Sequence, residues 1–345
     1  MILHLCVAEK FIKPFHDFVS SKSELCSFDH IFYISGGSSE FKNIVGANIA
    51  KSGNKNFVVR LMWLCQNLNK SEKIILHGLF DTTVLLMLAI QPWILKKCCW
   101  IIWGGDLYVY LFGQKNLIWW RNEVWRKFVI KRFGVIVTHI HGDYQLAKEW
   151  YRSKARWHEC FVYPSNLYHE FCIQKKQGSK INILLGNSAD PSNNHIEVID
   201  SIKNLSNEKI TIYCPLSYGD KTYAKEVSNY AKSIFGEKFI ALNAFMPSNK
   251  YCQFLSEIDI AIFNHKRQQA MGNIISLLGM GKKVYLRKDI STWKFLVDHE
   301  ITVYDVNSID LKPIMVDVSI RNQKIVSEYF SEKSLIKQLK LLFAR

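Results

Sequence analysis

Polar residues that could take part in group transfer directly follow apolar runs that are typical of buried strands. In the first half of the chain they are His77, the segment Trp103-Gly104-Gly105-Asp106-Leu107-Tyr108, and His139; in the second half they are the segments Gly186-Asn187-Ser188-Ala189-Asp190 and Asn264-His265-Lys266-Arg267-Gln268-Gln269. In open parallel sheets, ligands bind beyond the carboxyl ends of the strands. These positions are therefore the candidates for binding and catalysis.

Asp106 is the first candidate for a catalytic base. It follows a double glycine after the apolar run CCWIIW. A carboxylate there could accept the proton of an acceptor hydroxyl if low polarity raises its pKa. It could equally cap a helix or a turn. His77 and His139 are further base candidates, although a histidine at a strand end can also be a hydrogen-bonded structural residue.

A glycine turn in the second half is suited to a diphosphate. The stretch LLGNSADPSNNHIEVID predicts a strand, a turn and then a helix, with Ser192 and Asn193 as candidate caps. A glycine lets backbone approach a ligand closely, and a helix amino terminus carries about +0.5 charge. Gly186, Asn187 and Ser188 are the predicted phosphate contacts, with an ordinary capped turn as the alternative.

The stretch FNHKRQQAMGNIISLLGMGKK places cationic and amide groups before a helix that is predicted to begin near Gly272. Arg267 could form bidentate bonds to phosphate oxygens and so neutralise the charge of a leaving group. Gln268, Gln269 and Asn273 could hold a base or sugar hydroxyls. A solvated loop is the alternative interpretation.

A basic aromatic segment, KNLIWWRNEVWRKFVIKRF, runs from Lys115 to Phe133 at helical spacing. Tryptophans flanked by Arg and Lys are typical of a membrane interface. Part of such a helix must also pack on its own domain. Trp119, Trp120 and Trp125 are therefore candidates both for membrane docking and for the core.

The candidate residues require a fold that ends its strands at a common edge. Short β-rich runs alternate with amphipathic segments, which predicts an α/β protein of parallel sheets. Strands are predicted at Ile2–Val7, His30–Ser35, Phe57–Arg60, Lys73–His77, Cys98–Trp103, Val135–His139, Cys160–Tyr163, Ile181–Leu185, Ile210–Cys214, Phe239–Leu242, Ile258–Phe263, Val284–Arg287 and Ile301–Tyr304.

The length of 345 residues predicts two domains, because single cores stop growing at roughly 250–300 residues. A polar, aperiodic segment at Gln174–Lys180 marks the predicted boundary. We expect Rossmann-like domains at residues 1–176 and 177–320, with their binding edges facing a cleft, and a helical tail at residues 321–345.

Composition excludes several other classes. The formal net charge of +15 indicates a polyanionic partner, such as nucleic acid, an anionic membrane or a phosphorylated ligand. The nine cysteines form no CxxC pair, no GxGxxG follows a strand, and GMGKK lacks the spacing of a P-loop. We expect reduced thiols, no metal and no cofactor.

The apolar window from Thr82 to Leu95, about 14 residues, is short of the ~20 that span a bilayer, which predicts a buried helix. The first residues predict a strand and not a signal peptide.

Three blocks carry a resemblance to a known family. WGGDLY, LLGNSADPSNNHIEVID and RQQAMGNIISLLGMGKKVYL resemble the corresponding blocks of the TDP-N-acetylfucosamine:lipid II N-acetylfucosaminyltransferases, also described as 4-alpha-L-fucosyltransferases, of enterobacterial common antigen synthesis. Order and spacing agree from about Lys73 to about Tyr304.

The resemblance implies a GT-B fold that binds the acceptor in the first domain and the nucleotide sugar in the second, without a metal ion. The positions that match the family's motifs are Trp103 and Asp106 on the acceptor side, and Asn187, Ser188, Asp190, Asn193, His195, Arg267, Gln268 and Gln269 on the donor side. Gly105 replaces the family's alanine, Pro191 its arginine, and Met271 its isoleucine. The segment before Lys73 matches poorly, which leaves the particular sugars open.

The resemblance predicts transfer of an N-acetylfucosamine-like deoxyamino sugar from a TDP-sugar to a polyprenyl-diphosphate-linked saccharide. The product would serve common antigen, O-antigen or capsule synthesis. We expect a peripheral protein at the cytoplasmic face of the bacterial inner membrane, bound to its anionic surface. The alternatives are a sugar-nucleotide-binding subunit without turnover and a nucleic-acid-binding protein. No RNP1 or KH motif supports the second alternative.

Overall fold

Each half of the chain folds around one parallel sheet. The computed structural model describes residues 1–36, 49–51, 57–170 and 180–344. The first sheet has the order β3-β2-β1-β4-β5-β6-β7, formed by β1 Ile2–Val7, β2 His30–Ser35, β3 Ile49–Lys51, β4 Lys73–His77, β5 Cys98–Ile101, β6 Val135–Val137 and β7 Arg156–His158. The second has the order β10-β9-β8-β11-β12-β13, formed by β8 Ile181–Leu185, β9 Ile210–Pro215, β10 Phe239–Leu242, β11 Ile260–Phe263, β12 Lys283–Leu286 and β13 Tyr304–Asp305.

Helices connect most of the strands. They are α1 Ile12–Ser21, α2 Ser23–Cys26, α3 Phe57–Lys70, α4 Thr82–Ala89, α5 Gly105–Phe112, α6 Leu117–Ile130, α7 His141–Tyr151, α8 His195–Ile202, α9 Lys221–Phe235, α10 Ser248–Ser256, α11 Met271–Gly279, α12 Ser291–Asp298, α13 Val316–Tyr329 and α14 Glu332–Ala344. None of the helices in the described part of the chain is long and apolar enough to cross a membrane.

The central strands are buried on both faces, as parallel strands covered by helices must be. Leu3, Ile74 and Trp100 on β1, β4 and β5 are fully buried in the first core, and Ile183 and Ile262 on β8 and β11 are fully buried in the second. The predicted α/β class is therefore confirmed.

Two predicted strands are wrong. Phe57–Arg60 is the start of α3. Phe57, Val58 and Val59 are exposed apolar residues on that helix, so they imitate the continuous apolar run of a buried strand. Cys160–Tyr163 is buried but is not a strand, because Val162 has φ +55, a left-handed conformation. The edge strands β3 and β7 were not predicted.

The chain divides at a different place from the one predicted. One unit contains Met1–Asn166 and Glu332–Arg345, and the other contains Leu167–Ser331. The polar segment from Gln174 lies outside the described residues, except for Lys180. The predicted tail is not a separate element, because α13 belongs to the second unit and α14 to the first.

Packing explains why α14 joins the first unit. Leu335, Leu339 and Leu342 on its inner face are buried. The buried Lys73 ammonium, at the start of β4, donates to the carbonyls of Leu342 (2.6 Å) and Phe343 (2.9 Å). A cation at these carbonyls is favourable, because the last turn of a helix leaves them without partners.

The predicted buried helix at Thr82–Leu95 is only partly right. Asp81 caps α4 by accepting from the amides of Thr83 and Val84, and a 3-10 helix, Pro92–Lys97, follows. The outer side of this region is not buried. Leu86, Ile90 and Trp93 are exposed, Trp93 by 67%.

Candidate functional site

In the first unit, the candidate residues meet at the carboxyl edge of β4 and β5. His77 ends β4 and pairs with Ile101 at the end of β5. Gly78 (φ +76) and Gly104 (φ +84) turn the chain away from the two strands. Both conformations favour glycine. The turn at Gly104 leads directly into α5, which carries Asp106 in its first turn.

The Asp106 carboxylate is enclosed by hydrogen-bond donors from the surrounding backbone and side chains. Its Oδ2 accepts from the Leu79 amide (3.0 Å) and the Trp100 indole (2.7 Å), and its Oδ1 accepts from the Trp103 amide (2.9 Å). Burial raises the pKa of Asp106, while Arg126 and these donors act in the opposite direction. The side chain is 1% exposed. This geometry favours a positioning role over the predicted role as a base.

His77 is also buried behind the edge. Its Nδ1 lies 2.7 Å from the Tyr163 hydroxyl, and its Nε2 lies 3.0 Å from Nδ1 of His4. Burial lowers the pKa of His77 to about 3. The imidazole is therefore neutral at physiological pH. His77 is only 1% exposed to solvent.

Trp103 is the half-buried residue of this group. Its indole N–H donates to the Tyr163 hydroxyl at 2.6 Å. Its ring meets Phe11, Phe80 and Tyr163 in edge-to-face contacts. Tyr163 and Phe80 were not predicted as site residues. The only sequence signal for Tyr163 was its place at the end of an apolar run.

Tyr108 and His139 are buried away from these contacts. The Tyr108 hydroxyl donates to Asp143 Oδ1 of α7 (3.1 Å), and its ring stacks on Phe112. His139 lies in the segment between β6 and α7, where it is 7% exposed. Both therefore pack within the unit, which does not support their predicted role in substrate contact.

In the second unit, Gly186 ends β8 in a left-handed turn with φ +68. A Cβ there would lie 2.4 Å from His195 Nε2 and 2.8 Å from Asn193 Oδ1. The Asn193 oxygen accepts from the Asn187 amide (3.0 Å) and lies 2.8 Å from His265 Nε2. The turn is thus shaped by buried side chains that pack directly beneath it.

The helix after this turn begins later than predicted. Asp190 accepts from the Ser192 amide and starts a 3-10 turn, Pro191–Asn193. Asn194 is left-handed (φ +50), and α8 begins at His195 without a side-chain cap. Ser192 and Asn193 are therefore not the caps of the helix, because they belong to the short turn that precedes it.

The residues after β11 join the same group. Gln269 donates to Asn187 Oδ1 (3.1 Å) and accepts from the Ser192 hydroxyl (2.9 Å). Arg267 lies 3.9 Å from the Asp190 carboxylate. Strands β8 and β11 are neighbours in the sheet although they are far apart in sequence. Their carboxyl ends are the switch point at which such sheets bind ligands.

Burial separates the members of this group by role. Ser188, Asn193, His195 and His265 are at most 2% exposed and support the turn from below. The half-buried residues at the edge are Asn187, Asp190, Arg267, Gln268, Gln269, Gly272 and Asn273. Asn273 donates to the Tyr251 hydroxyl (3.0 Å). Only this second set can reach a ligand without rearrangement of the core.

The two buried histidines of this group are neutral. Burial lowers the pKa of His265 to about 3 and that of His195 to about 4. Burial also opposes the charge of Asp190, but the Ser192 hydrogen bonds and Arg267 keep its pKa below the ordinary value. The edge therefore presents an arginine and several amides, which suit an anionic, hydroxyl-rich ligand. Among the described residues, no group of His, Cys, Asp or Glu could hold a metal ion.

Two Rossmann-like units with polar carboxyl edges give the chain the GT-B fold. Several solved structures share this fold over nearly the whole length of the chain. HepE from Anabaena, in complex with UDP and glucose, has a TM-score of 0.70 at 11% identity, covering 100% of both chains. Sucrose-phosphate synthase from Thermosynechococcus elongatus gives 0.67 at 8% identity, covering 100% of this chain and 98% of that one. A glycosyltransferase from Rickettsia africae gives 0.65 at 14% identity, with coverages of 99% and 97%.

The sequence profile of the family described as 4-alpha-L-fucosyltransferase, glycosyl transferase group 56, matches residues 10–326. The chain belongs to this family, which confirms the resemblance found in the sequence. It is therefore a nucleotide-sugar-dependent glycosyltransferase.

The structure has room for a side chain at Gly105, where the resemblance implies an alanine. A Cβ at this position would lie 3.9 Å from the Phe80 ring, which is ordinary van der Waals contact. An alanine would therefore fit.

Proposed function

We propose that this glycosyltransferase transfers a deoxyamino sugar of the N-acetylfucosamine type from a TDP-sugar to a polyprenyl-diphosphate-linked saccharide. The product would enter common antigen, O-antigen or capsule synthesis. The family match, described as a fucosyltransferase, supports a sugar of the fucose type. The observation that carries the proposal is the edge of β8 and β11. There a left-handed glycine turn is hydrogen-bonded to Gln269, and Arg267 lies 3.9 Å from the Asp190 carboxylate.

We assign the donor to the second unit. The Gly186 turn brings backbone close to the diphosphate, and Arg267 offers two parallel N–H donors to its oxygens. As the bond to the sugar breaks, the diphosphate gains negative charge, which these groups stabilise. The amides of Asn187, Gln268 and Gln269 are placed to hold sugar hydroxyls or the base.

We assign the acceptor saccharide to the carboxyl edge of the first unit, beside Trp103. In this proposal Asp106 and His77 do not touch the substrate. Asp106 holds the Trp103 backbone, and His77 lies behind Tyr163. Their contribution to the reaction is therefore the geometry of the edge.

The exposed face of α6 supports a peripheral association with an anionic membrane. Leu117, Ile118, Trp120 and Val124 are exposed, Leu117 by 87%. Helix α4, with exposed Leu86, packs beside α6. Several exposed apolar side chains on one helix favour an interaction site, and the exposed Arg121 and Lys127 of the same helix favour anionic lipid. Trp125 packs against the core, and Trp120 is exposed, which leaves Trp120 as the candidate for membrane docking.

Product analysis by mass spectrometry tests the activity. Purified protein in detergent is incubated with TDP-N-acetylfucosamine, other nucleotide sugars and a polyprenyl-diphosphate oligosaccharide. A mass gain of one sugar on the lipid supports the proposal and identifies the donor. Calorimetric binding of TDP without product from any donor favours the sugar-nucleotide-binding subunit instead.

Sedimentation with vesicles tests the membrane assignment. We compare vesicles of phosphatidylcholine alone with vesicles that contain phosphatidylglycerol. The double change Ile118→Gln and Trp120→Gln is expected to abolish binding to the anionic vesicles. Ile320→Gln is the matched control, because Ile320 is exposed to the same extent, 61% against 62% for Ile118, but belongs to the second unit. Equal binding by the double variant and the control would refute the assignment.

A further inference from the structure

Trp103 is fixed from two sides. Its amide donates to Asp106 Oδ1 (2.9 Å), and its indole N–H donates to the Tyr163 hydroxyl (2.6 Å). Tyr163 is 7% exposed, whereas Phe80, which meets the Trp103 ring edge to face, is 45% exposed. The Trp103 side chain is therefore held by hydrogen bonds and also lies at the carboxyl edge of the sheet.

The attachment continues into the core through three histidines. The Tyr163 hydroxyl lies 2.7 Å from His77 Nδ1, and His77 Nε2 lies 3.0 Å from His4 Nδ1. His4 Nε2 lies 2.9 Å from His30 Nδ1, and His30 Nε2 lies 3.2 Å from the carbonyl of Leu25. We call Tyr163, His77, His4 and His30 the Tyr-His chain.

The Leu25 carbonyl gives the Tyr-His chain one direction, because burial keeps the rings neutral. A carbonyl can only accept, so His30 carries its proton on Nε2 and accepts at Nδ1 from His4 Nε2. His4 then accepts at Nδ1 from His77 Nε2, and His77 accepts at Nδ1 from the Tyr163 hydroxyl. The Tyr163 oxygen in turn accepts from the Trp103 indole N–H, which can only donate.

The apolar surroundings of the Tyr-His chain make its histidines unfavourable as residues that only fill the core. His4 stacks on Phe32 at 4.2 Å, and Phe15 packs against both His4 and His77. Buried polar groups in such an apolar setting are unfavourable unless each one is satisfied, and aliphatic residues would pack there at lower cost. A fully satisfied network, in contrast, holds a single arrangement of its members.

We propose that the Tyr-His chain is a positioning device that fixes the indole of Trp103 as a wall of the acceptor-saccharide site. The contact of Trp103 with saccharide rests on the proposed function; the fixing of the indole does not. Tyr163, His77, His4 and His30 are positioning residues for the transfer, because each acts through its neighbour and none reaches the substrate.

The first test is Tyr163→Phe, which keeps the ring and removes the hydroxyl. The matched control is Tyr144→Phe, which removes one hydroxyl bond, to the carbonyl of Ala155 (3.1 Å), in the same unit. We expect Tyr163→Phe to raise the acceptor KM about tenfold with little change in kcat, as a misplaced binding group does. The donor KM and the control variant should stay near wild-type values. An unchanged acceptor KM in Tyr163→Phe would overturn the contact with saccharide.

The second test reads the indole directly and needs no turnover. In 1H-15N spectra the Trp103 indole resonance, assigned by its loss in Trp103→Phe, should shift upfield and exchange faster with solvent in Tyr163→Phe. His77→Gln keeps an acceptor for the Tyr163 proton and should resemble wild type more closely than His77→Leu does. An indole resonance unmoved in Tyr163→Phe would overturn the positioning role. If the resonance moves but wild-type protein transfers no sugar, the proposed function fails and the positioning role stands.

Discussion

Replacing Gly186 by alanine should damage the second unit in two separable ways. The residue has φ +68, and an L side chain in this region costs roughly 1–2 kcal/mol. The new Cβ would also lie 2.4 Å from His195 Nε2 and 2.8 Å from Asn193 Oδ1. Moving Asn193 breaks its bonds to the Asn187 amide and His265, which costs about 1–3 kcal/mol for buried groups left unsatisfied. Together these effects predict a loss of roughly 2–5 kcal/mol in the free energy of unfolding.

Gly236→Ala is the control for backbone strain without a clash. Gly236 has φ +55 and ψ −130 in the same unit, a conformation that L residues rarely adopt, and nothing lies within 4 Å of its Cβ position. Urea unfolding followed by circular dichroism should therefore show a loss of stability in both variants. Calorimetric titration with TDP should show weaker binding only for Gly186→Ala, because only that turn is displaced. Equal TDP affinities in the two variants would refute the reasoning.

Three further predictions concern charge. Arg267→Ala should lower kcat about 10²-fold through loss of leaving-group stabilisation, and Arg267→Lys should recover only part of it; steady-state kinetics within threefold of wild type would contradict the assignment. Asp106→Asn should cost about 1–3 kcal/mol in urea unfolding, because one buried donor loses its acceptor, while kcat falls by less than the roughly 10²-fold expected of a lost base; the reverse pattern would restore Asp106 as the base. Acidification should destabilise the protein, because His77, His195 and His265 have folded-state pKa values of about 3, 4 and 3, below the unfolded value of about 6.5. The unfolded state then gains protons first as the pH falls below that value, so from pH 7.5 to 5.5 each histidine should cost about 1.4 kcal/mol. Urea midpoints that stay constant over this range would contradict the buried neutral states.

The donor edge could be predicted from sequence to a large extent. Gly186 and Arg267 each follow a continuous apolar run, and the strands formed by these runs lie side by side in the sheet. Local sequence did not show which residues are buried beneath the turn. Asn193 and His195 were predicted as donor-side residues, but both are buried, and their burial depends on the exact start of α8.

For the acceptor edge, the sequence predicted which residues follow β4 and β5 but not the contacts that they make. The partners of Asp106 are an amide at residue 79 and an indole on β5, and no spacing in the sequence brings them together. The link from Tyr163 to His4 depends on the register of β1 and β4 and on the irregular backbone at Val162. Such contacts are set by tertiary packing, which overrides the local pattern that predicted a strand there.

The assignment of α14 to the first unit affects how the chain folds during synthesis. The second unit is continuous in sequence and is inserted between β7 and α14. The carbonyls that the Lys73 ammonium contacts belong to Leu342 and Phe343 of α14, and these emerge from the ribosome long after β4. The unit that is synthesised second can therefore close first, while the Lys73 ammonium of the first is still hydrated and without its helix carbonyls. A nascent chain stalled before α14 would present an open first sheet to chaperones beside a finished second unit.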